Sequence, residues 1–484
     1  MRLERDILGE KSIPDDCYYG INTVRACENF ALSGIMVHPM LITALATVKR
    51  CCAEANGELG LLDKNKAQAI SQAAGEVISG AFRDQFPVDA FQGGAGTSTN
   101  LNINEVLANR ALEILGYEKG RYDIIHPIND VNRHQSTNDV YPTALRVAAI
   151  WLLKELSDSC ANLQASLQEK EQAFANVIKI GRTELQDAVP IMLGQEFGAY
   201  AQAIARDRWR IYKVEERLRQ VNLGGTAVGT GINADKKYVF LVNDKLKETA
   251  HIGIARAEDL IDATQNADVF VEVSGLIKAL AVNLAKIAQD LRLLSSGPRC
   301  GFGEINLPDL QAGSSIMPGK VNPVIPEAVN QVAFQVMSGD LAITLAAQAG
   351  QLELNAFLPL IAHHLLGNLA LLIKTVTMFS EKCISGITAN QERCRELLDD
   401  SLAVATALVP MIGYDAASII AHQAKEQNKT VAEVARASGL LSEESLARLL
   451  NPAVMTHPLS HSELVQLKLN IKASVGDSNP HRSS

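Results

Sequence analysis

Eight apolar residues, Val269, Val273, Ile277, Leu280, Leu284, Ile287, Leu291 and Leu294, recur at unbroken steps of three and four. That spacing keeps one face of an α-helix apolar from end to end. At about 1.5 Å per residue the stripe spans about 40 Å, where an ordinary helix has about 11–12 residues. Two further stripes have the same character: Leu145, Ala149, Leu152, Leu156, Cys160, Leu163 and Leu167, and Phe197, Ala201, Ile204, Ile211, Val214, Leu218 and Val221 with a gap at Arg208. The segments Pro326–Gln348 and Leu358–Phe379 are apolar around much of their circumference. Five long helices predict a bundle.

Some of these segments, such as Leu341–Ala347, carry small aliphatic side chains on more than one face. One five-helix bundle cannot bury all of that surface, so a homo-oligomer of bundles is expected. Composition agrees: 47% of the 484 residues are apolar and only 5% aromatic, which favours helices over an aromatic-rich β-sandwich. The fold class expected is all-α, in three parts: an N-terminal, mostly helical domain at 1–138, the long-helix bundle at 139–391 and a small C-terminal helical domain at 392–484. The last part includes amphipathic helices at Thr430–Ala437 and Ser442–Leu450, and its end, Ser474–Ser484, reads as disordered.

Charge and cysteine usage narrow the function classes. A net charge of −9 without a basic tract argues against nucleic acid or an anionic membrane surface as the main partner. The eight cysteines form no C-x-x-C pair and read as thiols of a reducing cytoplasm. The N-terminus MRLERDILGEK has no apolar core of a signal peptide. The aliphatic stretch Leu354–Ile373 contains Pro359, two Asn and His363-His364, and reads as a buried core helix.

Four polar stretches interrupt the aliphatic pattern: Gly93–Asn102, His134–Asp139, Gly181–Asp187 and Gly313–Pro323. Each combines Ser, Thr or Asn with backbone N–H groups freed by Gly or by a helix start, the composition of an anion site built from neutral donors. Taken singly, each is a helix cap or a turn. Four of them at the ends of long helical patterns can converge in a bundle. Gly313–Lys320 is not a P-loop, since five residues separate its glycines and Val321 follows the lysine. Gly225, Gly229 and Gly231 are in the wrong order for a dinucleotide fingerprint. No metal-ligand spacing occurs, so neither a metal nor another cofactor is expected. His134, His363 and His364 read as hydrogen-bonded structural residues.

The stretch Gly313-Ser314-Ser315-Ile316-Met317-Pro318-Gly319-Lys320-Val321-Asn322-Pro323 resembles the signature of the aspartase/fumarase superfamily, and the other three loops follow in that superfamily's order. The similarity runs from about Arg2 to Pro458. Tyr18–Phe30, Leu185–Pro190 and Asn451–Pro458 resemble its aspartase side, whereas fumarases tend to carry Trp-Gly and Gln-Arg-Ser in the first of these. The resemblance implies a homotetramer with a twenty-helix core and active sites shared by three subunits. It implies reversible anti-elimination of ammonia from L-aspartate to give fumarate. Ser314 would be the general base; Thr97, Ser136, Thr137 and Ser315 would bind the β-carboxylate; Lys320 and Asn322 the α-carboxylate; Thr183 and Asn138 would face the amine. Removing a proton beside a carboxylate creates an enediolate, which preorganised donors stabilise. A serine can serve as base only if donors lower its pKa, for instance when a mobile loop closes.

Position 184 departs from the pattern: Glu184 stands where the superfamily has His or Gln. A carboxylate there repels the substrate's own carboxylates unless it pairs with the ammonium. Two readings stay open, a variant in which Glu184 contacts the amine and a lyase releasing a substituted amine. Either disfavours hydration of fumarate, because malate offers no positive charge.

Overall fold

The computed structural model describes residues 1–458, 460–463 and 465–466, so the segment Ser474–Ser484 lies outside the described residues. The charged N-terminus, which has no helical period, pairs with itself. β1 (Arg2–Asp6) and β2 (Gly9–Ile13) form an antiparallel hairpin with Arg2 opposite Ile13. The recognisable stretch after it forms α1 (Ile21–Asn29), a helix with no side-chain cap of its own. Its free N–H groups are met from far along the chain. The buried Glu105 carboxylate accepts from the backbone N–H of Gly20 at 2.7 Å, Asn22 at 2.8 Å and Thr23 at 3.2 Å, and Glu4 accepts from Ile21 at 2.8 Å. Negative charge at a helix N-terminus is the favourable arrangement. Only glycine fits at Gly20, since a Cβ there would lie 2.6 Å from Glu4 Oε2 and 2.9 Å from Glu105.

Next come α2 (Pro39–Glu58), α3 (Lys64–Ile78), which starts on the Asp63 carboxylate, and α4 (Thr97–Ile114). A π-helical turn at Pro127–Val131 leads into α5 (Thr137–Ala173). β3 (Ile178–Thr183) and β4 (Gln186–Met192) make a second hairpin, followed by α6 (Leu193–Leu218). β5 (Gln220–Val221), α7 (Lys236–Ala250), β6 (Ala255–Arg256) and α8 (Leu260–Gln265) precede α9 (Asp268–Leu294). β7 (Ile305–Asn306) comes before α10 (Val324–Gln348) and α11 (Leu358–Lys382), and β8 (Thr388–Ala389) pairs with β7. The chain continues through α12 (Gln391–Asp400), α13 (Val409–Gln427), α14 (Val431–Ser438), α15 (Glu443–Leu449) and α16 (Pro452–Met455). Among the described residues the fold is all-α apart from four two-stranded pairings.

The five long helices are the five periodic segments. Leu145, Ala149, Leu152, Leu156, Cys160, Leu163 and Leu167 are all buried along α5, and Val273 to Leu294 of the stripe along α9. In α6 the gap in the stripe is filled by Asp207, buried and accepting from Asn283 Nδ2 at 2.8 Å. Val221, counted in that stripe, lies past the helix end in β5, where the chain turns to a short parallel pairing with β6. Thr430 and Ser442 cap α14 and α15, each accepting an N–H from three residues on.

The chain divides into two compact units. The first comprises Met1–Ala161, Arg206–Ala285 and Val329–Thr377; the second comprises Asn162–Ala205, Lys286–Ala328 and Met378–Ser484. In the second unit, Leu408, Ile420, Ala424, Val431, Val434, Leu446 and Leu449 build one core cluster. Two helical segments among the described residues, Leu358–Gly386 and Leu402–Gln427, are long and apolar enough to cross a membrane. The first is largely core, with Ile361, Leu365, Leu369, Leu372 and Val376 fully buried, and the second is broken at Gly413 (φ 80°, ψ 166°). All eight cysteines are free thiols.

Candidate active site

Two of the polar loops meet in the first unit, at the N-termini of α4 and α5. Gly96, in the left-handed region at φ 95°, ends the first loop and packs so tightly that a Cβ would lie 2.4 Å from the Tyr141 ring of α5. Asn100, on the first turn of α4, donates from Nδ2 to Thr137 Oγ1 at 3.0 Å and to Asn132 Oδ1 at 3.2 Å. Most backbone N–H groups here are already paired, Thr97 with Gly94 O, Thr99 with Gln92 Oε1 and Asn138 with Ser136 Oγ, so the anion-binding character rests on the hydroxyl side chains and on the positive ends of two adjacent helix dipoles. Thr97 is exposed there, with its hydroxyl on Gly94 O at 2.7 Å; Ser136 is half-buried and Thr137 buried.

Asn138 is held on three sides. Its N–H donates to Ser136 Oγ at 3.2 Å, its Nδ2 donates to Ala227 O at 2.8 Å, and its carbonyl accepts from Asn222 Nδ2 at 2.9 Å. The last bond has a sequence cause. Pro142 stands four residues on, inside α5, and has no N–H to give that carbonyl. The side-chain oxygen of Asn138 has no hydrogen-bond partner among the described residues. Beneath the loop, the buried Lys49 ammonium donates to Asn132 Oδ1 and Gln135 Oε1, both at 2.8 Å, and burial brings its pKa down to about 7. His134 donates from Nδ1 to Asn56 Oδ1 at 2.6 Å. Asn222 and the glycine-rich turn after it were not legible as part of a site: their glycine spacing matches no ligand motif, and they lie some 85 residues from Asn138 in sequence.

The remaining candidates belong to the second unit. The Gly181–Asp187 stretch is not a helix-end loop but the turn of the β3–β4 hairpin. Thr183 pairs with Gln186, so Glu184 and Leu185 are the two turn residues, with φ +55° and +61°. A two-residue turn with both φ positive matches strand twist but normally uses Asn or Gly, so this exposed turn is strained. The strand behind it is anchored: Arg182 donates to both oxygens of the fully buried Glu304, at 3.0 and 2.9 Å.

The Gly313–Pro323 loop closes on itself. Gly313 N–H donates to Lys320 O at 2.7 Å, and Asn322 Nδ2 donates to Gly313 O at 2.7 Å. A Cβ on Gly313 would sit 2.6 Å from Lys320 O, so the loop base requires glycine. Asn322, expected to bind carboxylate, therefore spends one donor on its own loop. Ser314 Oγ accepts two backbone N–H bonds, from Ile316 at 3.2 Å and Met317 at 3.0 Å. Donors converging on a hydroxyl oxygen stabilise its alkoxide and make the serine a stronger acid. Ser315 and Lys320 are exposed, as are Ile316 and Met317, around an open cleft of about 450 Å³ lined by Asp309, Gln311, Ser314, Met317 and Lys320.

Comparison with known proteins identifies what the whole chain is similar to. A lyase family model matches residues 9–338, and a fumarase C C-terminus model matches residues 404–457. The chain is 50% identical to an aspartate ammonia-lyase of Bacillus sp over 458 residues, covering 95% of this chain and 98% of that one. It is 52% identical to an aspartate ammonia-lyase of Pseudomonas aeruginosa over 460 residues, covering 94% and 97%. Among solved structures, a fumarate lyase:delta crystallin from Brucella melitensis bound to cobalt superposes with a TM-score of 0.92 at 51% identity, covering 94% of this chain and all of that one. A class II fumarase from Schistosoma mansoni gives 0.90 at 34% identity, covering 95% and 100%.

Proposed function

Since the chain belongs to the lyase family, in its aspartase/fumarase superfamily, we propose that it is an aspartate ammonia-lyase, a carbon–nitrogen lyase that reversibly converts L-aspartate to fumarate and ammonia. Identity of about half to aspartate ammonia-lyases over nearly the whole chain supports this substrate. The observation that carries the mechanism is the Ser314 hydroxyl held by two backbone N–H groups.

The Cβ proton passes to Ser314 Oγ, present as the alkoxide. The electron pair moves into the β-carboxylate, which becomes the enediolate. Ser136 and Thr137 at the second helix start, together with Ser315, stabilise that charge through their hydroxyls, and Thr97 joins them by turning its hydroxyl from Gly94 O to the substrate. The C–N bond then breaks and ammonia leaves on the side opposite the proton. Lys320 and the second N–H of Asn322 hold the α-carboxylate, while Thr183 and the free oxygen of Asn138 face the amine. Glu184 pairs with the substrate ammonium from its hairpin turn, and this carboxylate is what favours an amine over malate's hydroxyl.

The working assembly in this proposal is a cytoplasmic homotetramer whose active sites draw on three subunits. Exposed apolar side chains on α10 support it: Phe334, Leu341 and Leu345 are 58%, 61% and 54% exposed. Apolar surface of that extent along a helix calls for a partner helix. The domain boundaries proposed, near 138 and 391, coincide with the starts of α5 and α12.

The test is ultraviolet detection of fumarate with L-aspartate, L-malate and N-substituted aspartates supplied in parallel. Fumarate from L-aspartate is expected. Fumarate from malate alone overturns the assignment, and preference for an N-substituted aspartate moves it to a lyase of substituted amines.

A further inference from the structure

One buried carboxylate in the first unit has no part in the chemistry above and yet touches both sides of the substrate loop. Asp139 is 0% exposed. Its Oδ1 accepts from the N–H of Ser136 at 2.9 Å, and its Oδ2 accepts from the N–H of Gly224 and of Thr226, both at 3.1 Å. The Ser136 bond, with Asn138 N–H returning to Ser136 Oγ, is an ordinary cap at the start of α5. The other two bonds are not. They reach 85 and 87 residues along the chain and fasten the turn that also supplies Ala227 O and Asn222 Nδ2 to Asn138. A helix cap alone needs no second oxygen and no total burial.

We propose that Asp139 is a positioning residue: its two carboxylate oxygens clamp Ser136 to the Gly224–Thr226 turn, fixing Ser136, Thr137 and Asn138 in the geometry that binds the substrate's β-carboxylate and amine. The proposal rests on the aspartate ammonia-lyase reading. The clamp at full strength requires the ionised form, because protonation turns one acceptor site into a donor and weakens the bonds to the three N–H groups.

That requirement sits close to failure. Burial pushes the Asp139 carboxyl up, and the N–H groups of Ser136, Thr226 and Gly224 with the Lys49 charge only partly offset it, leaving it at about 6. The titratable groups that face it are Lys49 and Cys52 of α2 and Tyr238 of α7. Burial raises both Cys52 and Tyr238, so both stay neutral in this range, while Lys49, lowered to about 7, is charged below that pH and is therefore a cation where Asp139 takes up its proton. As pH falls through about 6 the clamp loosens. L-Aspartate keeps both carboxylates ionised until far lower pH, since a free side-chain carboxyl titrates at about 3.9.

Steady-state kinetics of the wild type and of Asp139→Asn from pH 5 to 8 test the clamp. In the wild type, KM for L-aspartate rises at least about tenfold as pH falls through about 6, with a smaller change in kcat. In Asp139→Asn, KM is raised at every pH and that acid limb is gone. An unchanged KM, or an acid limb that persists in the variant, overturns the proposal. A purely structural role would lower the melting temperature without removing the limb. Amide hydrogen exchange gives a reading that needs neither turnover nor the variant. Ser136, Gly224 and Thr226 in the wild type should be protected at pH 7.5 and lose protection, beyond the intrinsic pH trend, at pH 5. Unaltered protection also overturns the clamp. A wild type that yields no fumarate from L-aspartate refutes the functional reading instead, and the exchange experiment still decides the clamp.

Discussion

The two groups of candidate residues, one in each compact unit, are built on opposite plans. At the starts of α4 and α5 the ligand-facing side chains stand on a buried polar network: Asn100, Thr137, Asp139 and Lys49 are all 8% exposed or less. In the Gly313–Pro323 loop Ser315 and Lys320 are exposed and Ser314 and Asn322 half-buried, and the loop is closed by bonds within itself. The first group is preorganised, with its ordering cost met during folding. The second can move against the rest of its unit, because few bonds leave it, and segments of that kind open at low free-energy cost. In the proposed mechanism this puts the binding donors where geometry must not change and the base, Ser314, where a closing step would bring it to the substrate and exclude water.

This contrast predicts that changes in the loop alter activity without altering stability, whereas changes at the helix starts alter both. The largest effect is expected for Ser314→Ala, which removes the base: kcat should fall by about 10³-fold or more with the melting temperature unchanged. A matched loss of stability would break the comparison. Gly313→Ala should come next, lowering kcat by roughly 10-fold to 10²-fold, because its Cβ meets Lys320 O at 2.6 Å and opens the loop base. Calorimetry should again show no shift.

Thr137→Val belongs to the other class. It leaves the Asn100 amide without its acceptor at 3.0 Å, so it should cost about 1–3 kcal/mol of stability as well as raising KM. Denaturant titration beside steady-state kinetics would show whether both fall together. For Glu184→Gln the expectation is smaller: a several-fold rise in KM for L-aspartate, with stability unaffected at this exposed turn. Unchanged kinetics on every amine substrate would remove any electrostatic role for Glu184.

The smallest effect tests the support beneath the first loop. Asp89 accepts from the N–H groups of Phe91, Ser33 and Gly34 and from the Ser33 hydroxyl. Burial alone would raise its carboxyl, but these donors outweigh it and hold it at about 2. A depressed pKa stabilises the fold above the unfolded value of about 3.9, and that contribution is lost as pH falls toward 2. Asp89→Asn should therefore lower the melting temperature by a few degrees at pH 6, by less at pH 3, and leave kcat near wild type.

The amino-acid sequence alone determined the five long helices, because a stripe of apolar residues at helical spacing has one way to be buried. The Ser314 loop was legible too, through its resemblance to a family signature, and its internal bonds are local: the serine, its two N–H donors and the glycine that closes the loop lie within ten residues. Hairpins such as β3–β4 were not legible. Ile178–Thr183 and Gln186–Met192 lack clean alternation, and a Glu-Leu turn carries no hairpin signal. The role of Asp139 was equally out of reach. Read locally, it is one more residue of a helix cap. Only the tertiary structure decided that its second oxygen meets Gly224 and Thr226, and that Pro142 frees a carbonyl for Asn222. The physical reason is common to these cases. Periodicity and local motifs report what a segment does to itself, whereas a buried polar group is satisfied by whichever distant backbone the fold brings within about 3 Å, and no pattern near that residue encodes the partner.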